Sequence, residues 1–459
     1  MKRFISVLIV LAICLAMVPT AAMADGPAQS YLLIANGNEL PPGLAKQVEK
    51  AGGIVTDELS EIGIAVVESS KTNFKAKAAK IAGVKSVVPN LTLQWIAPVE
   101  QIVYEEDINP PYSGDDDFYF DLQWGHDAVG APEAWEAGYT GSGVTVAILD
   151  TGFDLDHPDL APNINLAISA DFTYEGLEYT LSDTFSHGTH TAGTVAAADN
   201  AFGTIGIAPD AELMLVKVLE DKGSGSFDWI ISGIKHAADN GADVINMSLG
   251  LYISRQGYVY LGNDPYPTKV MEANEVSALL NAINRATTYA YQQGVTVFAS
   301  AGNEGADLDK GNWVHTPSNG PHVISISATA PRGWATDPAT AFLDYPASYS
   351  NYGTSGVDFA APGGDFVYPG NEICQVSFVI NYCWVLDFVF STGNGGWYWS
   401  VGTSMAAPHA AGVAALIIDA NDGDMHPAQV EAAMRQLADD LGKPGKDDFY
   451  GQGRVLAPQ

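Results

Sequence analysis

Three side chains that together could make and break an acyl bond stand far apart in this sequence. Asp150 ends the apolar run "VTVAILD", His187 opens "HGTHTAGTVAA", and Ser404 lies in "GTSMAAPHAAG". A serine hydroxyl is a weak nucleophile until a base takes its proton, and imidazole titrates close enough to neutrality to do so. The imidazole in turn needs a carboxylate to hold its tautomer and stabilise its charged form. Each residue alone has an ordinary explanation: a turn aspartate, a structural histidine, one serine among many. In the chain order Asp, His, Ser, on a strand-helix pattern, they predict acyl transfer through a serine.

Such a trio has to be brought together by a scaffold, and the sequence supplies one. From about Leu122 onward, short runs rich in Val and Ile ("VTVAIL", "ELMLVKVL", "DVINMSL", "VTVFAS", "HVISISA") alternate with helical stretches such as "FDWIISGIKHAADNG" and "SALLNAINRATTYAYQQG". Continuous apolar strands alternating with helices predict an α/β fold: a mostly parallel twisted sheet covered by helices on both faces. Reacting groups in such a sheet collect beyond the carboxyl ends of the strands. Ser404 opens a helix, where free N–H groups and the positive end of the dipole favour negative charge. Pro408 lies beyond the first turn of that helix, where it removes a donor. Residues 251–276, 306–320 and 363–398 read as loop insertions. "NMS" at 246–248 falls on a buried strand and is no glycosylation acceptor; "DANDGD" at 419–424 reads as a helix end.

Ahead of this unit the chain changes character three times. Residues 1–24 carry Lys2 and Arg3, an apolar run, and Ala22-Met23-Ala24, the layout of a cleavable secretory signal. Residues 25–100 hold a small unit in the order βαββαβ, ferredoxin-like, from "YLLIAN" to "KSVVPNLTLQW". Residues 101–121, with "YEEDINPPYSGDDDFYFD" at their centre, form an acidic stretch suited to an exposed linker open to proteolysis. Export would leave Cys374 and Cys383, an even pair that either closes a short loop as a disulfide or stays as two thiols. The net charge is −33 with only 16% charged residues, so scarce Lys and Arg produce much of the imbalance. Phosphate binding needs clustered cations, and nucleic acid is excluded as a partner.

Five blocks carry a resemblance: "VAILDTGFDLDHPDL", "SHGTHTAGTVAA", "DVINMSLG", "ASAGNEG" and "GTSMAAPHAAG". Together they resemble, in order, the signatures of the subtilisin-like serine proteases, or subtilases, over about residues 123–455. The resemblance implies that Asp150 orients the base, His187 is the base, Ser404 the nucleophile and Asn303 the side-chain donor to the oxyanion; His190 is then structural. It implies two substrate-pairing edges, Gly223-Ser224-Gly225 and Ser248-Leu249-Gly250. Ser300, Ala301 and Gly302 would wall the first specificity pocket, and Phe227 would border a more distant hydrophobic one. It implies a structural Ca²⁺ held by Asp159, Asn200 and backbone oxygens of Ala198, Phe202 and Thr204. Asp121 would supply the ligand from near the mature N-terminus. Residues 25–100 are similar to the family's inhibitor-type propeptide, which would act as intramolecular chaperone and inhibitor and be cut off somewhere within residues 95–117. The expectation is a secreted, monomeric serine endopeptidase acting on proteins or peptides, made as a self-processing zymogen and free of the membrane once its signal is removed. A peptide ligase or cyclase, and a non-catalytic subtilase-fold binding protein, are the alternatives; an intact set of four catalytic residues argues against the last.

Overall fold

The computed structural model of the chain describes residues 27–96, 101–104, 115–261, 264–368 and 370–459. The signal-peptide reading, and the linker between residues 105 and 114, lie outside them. The leading unit contains β1 (Gln29–Ala35), α1 (Leu44–Ala51), β2 (Ile54–Leu59), β3 (Ile64–Ser69), α2 (Phe74–Ala78) and β4 (Val84–Pro89). Its antiparallel sheet has the order β2-β3-β1-β4. Alternate residues of β1 serve opposite faces. Tyr31 and Leu33 pack with Val48 and Phe74 of the two helices, whereas Leu32 and Ile34 join a core built largely from the rest of the chain. Both faces of β1 are therefore buried, while the edge strand β2 is mostly exposed.

The predicted last strand is split. Pro89 ends β4, and Thr92–Gln94 form a separate strand, β5, which leaves the unit. A further strand, β6 (Gln101–Tyr104), follows.

The large unit opens with α3 (Trp124–Val129), α4 (Ala131–Glu136), β7 (Thr145–Asp150), β8 (Ala170–Asp171), α5 (His187–Ala196) and β9 (Glu212–Lys217). Next come β10 (Ser224–Ser226), α6 (Phe227–Asp239), β11 (Val244–Met247), β12 (Leu251–Ser254), β13 (Tyr258–Val259), β14 (Thr268–Lys269) and α7 (Ala273–Gln292). Strands β15 (Thr296–Ser300), β16 (Trp313–Thr316), β17 (Val323–Ala330), β18 (Tyr345–Pro346) and β19 (Phe359–Pro362) follow. The chain closes with β20 (Ile373–Val376), β21 (Val379–Tyr382), β22 (Val389–Gly393), β23 (Gly396–Ser400), α8 (Thr403–Asp419) and α9 (Pro427–Leu437).

The main sheet runs β18-β17-β15-β11-β7-β9-β8, with β19 also beside β17, and every pair except β17–β18 is parallel. One face meets α6 and α7, and the other meets α5 and α8. Every residue of β11, β15 and β17 is buried, as their largely apolar sequences suit. The insertions read as loops carry strands of their own. Residues 251–276 and 306–320 combine in the sheet β14-β13-β12-β16, and 363–398 fold as two hairpins. Cys374 and Cys383 are bonded across the first of these hairpins. Among the described residues no helix is long and apolar enough to cross a membrane.

Candidate active site

Asp150 is the last residue of β7, at the carboxyl edge of the sheet's middle, and it is fully buried. Its Oδ1 accepts from Thr151 N–H (2.7 Å) and from His187 Nδ1 (2.7 Å), and its Oδ2 from Thr191 Oγ1 (3.2 Å). A carboxylate that accepts at Nδ1 fixes the neutral imidazole with its proton there, leaving the lone pair on Nε2. That Nε2 is buried and has no hydrogen-bond partner among the described residues.

The position of His187 follows from how α5 starts. Ser186 caps the helix, its Oγ accepting from Thr189 N–H (3.2 Å) while its hydroxyl reaches Gly152 O (2.9 Å). Gly188 lets the first turn lie against the loop after β7: a Cβ there would come within 2.9 Å of Thr151 O and of the Phe153 ring. His190, one turn on, is buried beside Tyr398 with ring centroids 4.6 Å apart, and burial pushes its imidazole down to about 3. It is a core histidine, as the resemblance implied.

Ser404 is the second residue of α8, which packs on α5. Pro408 cannot supply the N–H that Ser404 O would otherwise accept. The hydroxyl of Ser248, just beyond β11, replaces it at 2.7 Å, while Ser404 Oγ donates to Ser248 O at 3.1 Å. Asn246 Nδ2 donates to Ser248 Oγ at 3.0 Å and holds this exchange in place. The prolyl defect thus ties the helix start to the sheet. The Ser404 hydroxyl is thus bonded to Ser248 and not to His187; catalytic contacts are often loose before a substrate binds.

Asn303 lies beside the same helix start. Its Oδ1 accepts from Thr403 N–H (2.9 Å) and Thr403 Oγ1 (2.8 Å), and Gly302 N–H donates to Thr403 Oγ1 (3.1 Å). A backbone N–H can only donate, so the amide atom facing Thr403 is the oxygen and the NH₂ group is turned elsewhere. Sequence reasoning missed Thr403; its signal is its place at the first helical position, next to Ser404.

The two expected edges are bridged by the chain's own residues. Strand β5 pairs antiparallel with β10, setting Gln94 opposite Ser224 and Leu93 opposite Gly225. Trp95 N–H donates to Gly223 O (3.0 Å), and Gly250 N–H donates to Trp95 O (2.9 Å). The Trp95 indole bonds Gly225 O (2.9 Å) and meets Phe227 edge to face at 5.0 Å. Beyond the gap, β6 pairs antiparallel with β23, with Gln101 opposite Ser400, four residues before Ser404. A cavity of about 350 Å³ containing His187 is bordered by Gln94, Ile96 and Gln101 from this crossing chain. Leu249 O and Ser300 Oγ join the two expected pocket walls at 3.4 Å, and Ala301 O accepts from Asn351 Nδ2 at 2.9 Å.

The expected metal residues also converge. Asp159 Oδ2 accepts from Thr204 N–H (2.9 Å), Thr204 Oγ1 (3.2 Å) and Trp397 Nε1 (2.9 Å), and Ala198 N–H donates to Asp159 O (2.7 Å). Asp159 Oδ1 is buried without a partner among the described residues. Asn200 Nδ2 lies 3.4 Å from Pro158 O, and Phe202 is exposed at the outer turn of the loop. Asp121 is a correction. It lies on the short turn Phe120–Leu122, and the carboxylate this segment brings to the loop is that of Asp117, whose Oδ1 accepts from Phe202 N–H at 3.1 Å. The reason is register: Tyr119 N–H bonds Gly203 O (2.7 Å) and Gln123 bonds Ile205, so the residues just before Tyr119 face the loop. Asp117 Oδ2 is likewise buried and unpartnered among the described residues. Burial raises the Asp159 carboxyl to about 6 and, with Asp115 nearby, that of Asp117 to about 8. Orphaned carboxylate oxygens beside a carbonyl-bearing loop fit a hard, oxygen-seeking cation such as Ca²⁺.

Comparison with known proteins agrees with this architecture. The model of the subtilase family matches residues 141–453. Subtilisin E of Bacillus subtilis (strain 168) is 35% identical over 337 residues, 73% of this chain and 70% of that protein. M-protease of Shouchella clausii (strain KSM-K16) is 30% identical over 443 residues, 95% of this chain and 92% of that protein. A solved structure of the epidermin leader peptide processing serine protease from Staphylococcus aureus shares the fold, with a TM-score of 0.70 at 22% identity over 94% of this chain and 96% of that one. The chain belongs to the subtilase family and is a subtilisin-like serine endopeptidase.

Proposed function

We propose that Asp150, His187 and Ser404 form the catalytic triad of a secreted endopeptidase made as a zymogen, with residues 25–100 as its inhibitory propeptide. The observation that carries the triad is the buried His187, bonded through Nδ1 to Asp150 and with Nε2 left free. Ser404 Oγ attacks the scissile carbonyl carbon while its proton passes to Nε2. The carbonyl oxygen, now negative, is met by the Asn303 amide and the Ser404 N–H, a first-turn donor for which the helix offers no acceptor. Collapse breaks the C–N bond, and Nε2 returns the proton to the leaving amine. Water then enters by the same route, giving up a proton to Nε2 as it attacks the acyl-enzyme, and Ser404 Oγ recovers a proton as the acid leaves. Asp150 keeps the imidazole in one tautomer throughout and offsets its charge.

The propeptide reading rests on Trp95, which links both substrate edges as a peptide substrate would by strand addition. With β5 on one side and β6 held against β23 on the other, the bond cut in self-processing falls between Ile96 and Gln101. The apolar signal sequence at residues 1–24 supports export. Asp159, Asn200, Asp117 and the backbone oxygens of Ala198, Phe202 and Thr204 would hold the structural calcium, which neutralises the buried carboxylates.

Expression of the chain without residues 1–24, beside a Ser404→Ala version, tests the proposal. The first should trim itself between residues 96 and 101 and digest casein, while the second stays full length, a loss on the order of 10⁵-fold or more. Equal trimming in both would overturn self-processing. Chelation of the mature form should lower its thermal midpoint, and an unchanged midpoint would remove the calcium site.

A further inference from the structure

The side chain just before the scissile bond should enter the slot between two neighbouring strand ends, Ser248–Gly250 beyond β11 and Ser300–Gly302 beyond β15. Both walls end in glycine, and the imidazole of His315 lies between those glycines. A Cβ placed on Gly250 would come 1.9 Å from His315 Cε1 and 2.4 Å from Nε2, and one on Gly302 would come 2.7 Å from Cδ2. The outer edge of the ring, from Cδ2 through Nε2 to Cε1, therefore touches both walls at once. The Gly302 wall is backed by polar groups as well, since the same Cβ would come 2.4 Å from Asn351 Nδ2 and 2.6 Å from Glu304 Oε2.

His315 arrives there from a distant part of the sequence. It belongs to β16, which pairs antiparallel with β12, the strand that continues directly from Gly250, and His315 stands opposite Tyr252. The ring is held from behind. His315 Nδ1 lies 2.9 Å from Ser318 Oγ, and the His315 N–H donates to Asn319 Oδ1 at 2.9 Å. Only 3% of the residue is exposed, and burial holds its imidazole below the ordinary histidine value, so it is a neutral, closely packed group. An interior this tight resists extra atoms, because each inserted methylene forces neighbours off their preferred positions.

We infer that His315 is the floor of the first specificity pocket and restricts the residue before the scissile bond to a side chain of at most three heavy atoms, such as glycine, alanine, serine or valine. This rests on the endopeptidase reading given above. The imidazole blocks the depth that leucine, phenylalanine or arginine would need. It does so from a strand whose pairing with β12 fixes the ring between the walls.

The test uses the mature enzyme and a set of internally quenched peptides that differ only at that residue: alanine, serine, leucine, phenylalanine and arginine. The wild type should cleave the alanine peptide with kcat/KM at least about 30-fold above the phenylalanine peptide, within the range a mismatched pocket can impose. His315→Gly should raise the phenylalanine-to-alanine ratio of kcat/KM at least tenfold, and His315→Ala should raise it by less. A wild type that prefers leucine, phenylalanine or arginine would overturn the inference, and so would variants that shift every peptide in parallel. Should both variants fail to mature, the wild-type profile decides by itself. An enzyme that reacts with a fluorophosphonate and shows the wrong profile refutes this inference alone. One that neither reacts nor cleaves any peptide refutes the catalytic reading and this inference with it.

Discussion

Helix α5 enters on Ser186, whose side chain accepts from Thr189 N–H, while Gly188 N–H finds Thr151 Oγ1 at 3.0 Å. Helix α8 enters on Gly402, at φ 150° and ψ 161°, with no side-chain cap. Its Thr403 N–H is used to turn Asn303, and Met405 and Ala406 N–H groups return to Gly402 O. The next donor in the turn, Ser404 N–H, is the one proposed to meet the oxyanion. Both helices begin at the same rim of the sheet and both present a residue of the proposed triad, yet α5 starts on a side-chain cap, whereas α8 starts without one and carries the N–H proposed for the oxyanion beside Ser404. A base has to be held in one orientation, and the first turn of α5 is held by the hydroxyls of Ser186 and Thr151. A site for transient negative charge has to offer donors, and in the proposed mechanism the Ser404 N–H of the uncapped α8 start is one of them.

The two helix starts can be perturbed separately. The largest effect is expected at the uncapped end. Asn303→Leu removes a donor aimed at developing charge and should lower kcat by roughly 10²–10³-fold, with KM nearly unchanged, as steady-state kinetics would show. A variant that weakened KM and spared kcat would mean Asn303 binds the ground state, and the uncapped first turn would lose its proposed purpose. At the capped end, Ser186→Ala removes a cap and should cost about 1 kcal/mol, seen as a fall of about 1–2 °C in the thermal midpoint. Its effect on kcat should be far below that of Asn303→Leu. A catalytic loss as large as that of Asn303→Leu would show that the cap belongs to the chemistry and not only to the scaffold.

Much of this was readable in the sequence because it is carried by contiguous residues. The buried strands announce themselves as unbroken Val and Ile runs, and the three residues of the proposed triad stand in short glycine-bearing blocks that define tight strand-to-helix turns. What could not be read depends on how separate segments pair. Asp121 is the nearest match by counting along the chain, but the register of Tyr119 against Gly203 delivers Asp117 instead. "KSVVPNLTLQW" reads as one strand, and only the presence of Gly223–Gly225 and Gly250 shows why it breaks after Pro89 and sends Trp95 into the cleft. His315 lies in a stretch read as a loop, and nothing near it in sequence indicates that pairing of β16 with β12 places its ring between two glycines 65 and 13 residues away. Pro408 was legible as a defect, but its remedy, the Ser248 hydroxyl, comes from the end of another strand.

In the proposed mechanism His187, steadied by Asp150, makes Ser404 a nucleophile. The most direct test is to react the mature enzyme with a fluorophosphonate and map the adduct by peptide mass spectrometry. A single stoichiometric adduct on Ser404, suppressed when the separate propeptide is added back, is the predicted result. An adduct on another serine, or an enzyme that hydrolyses protein without taking up the label, would contradict it.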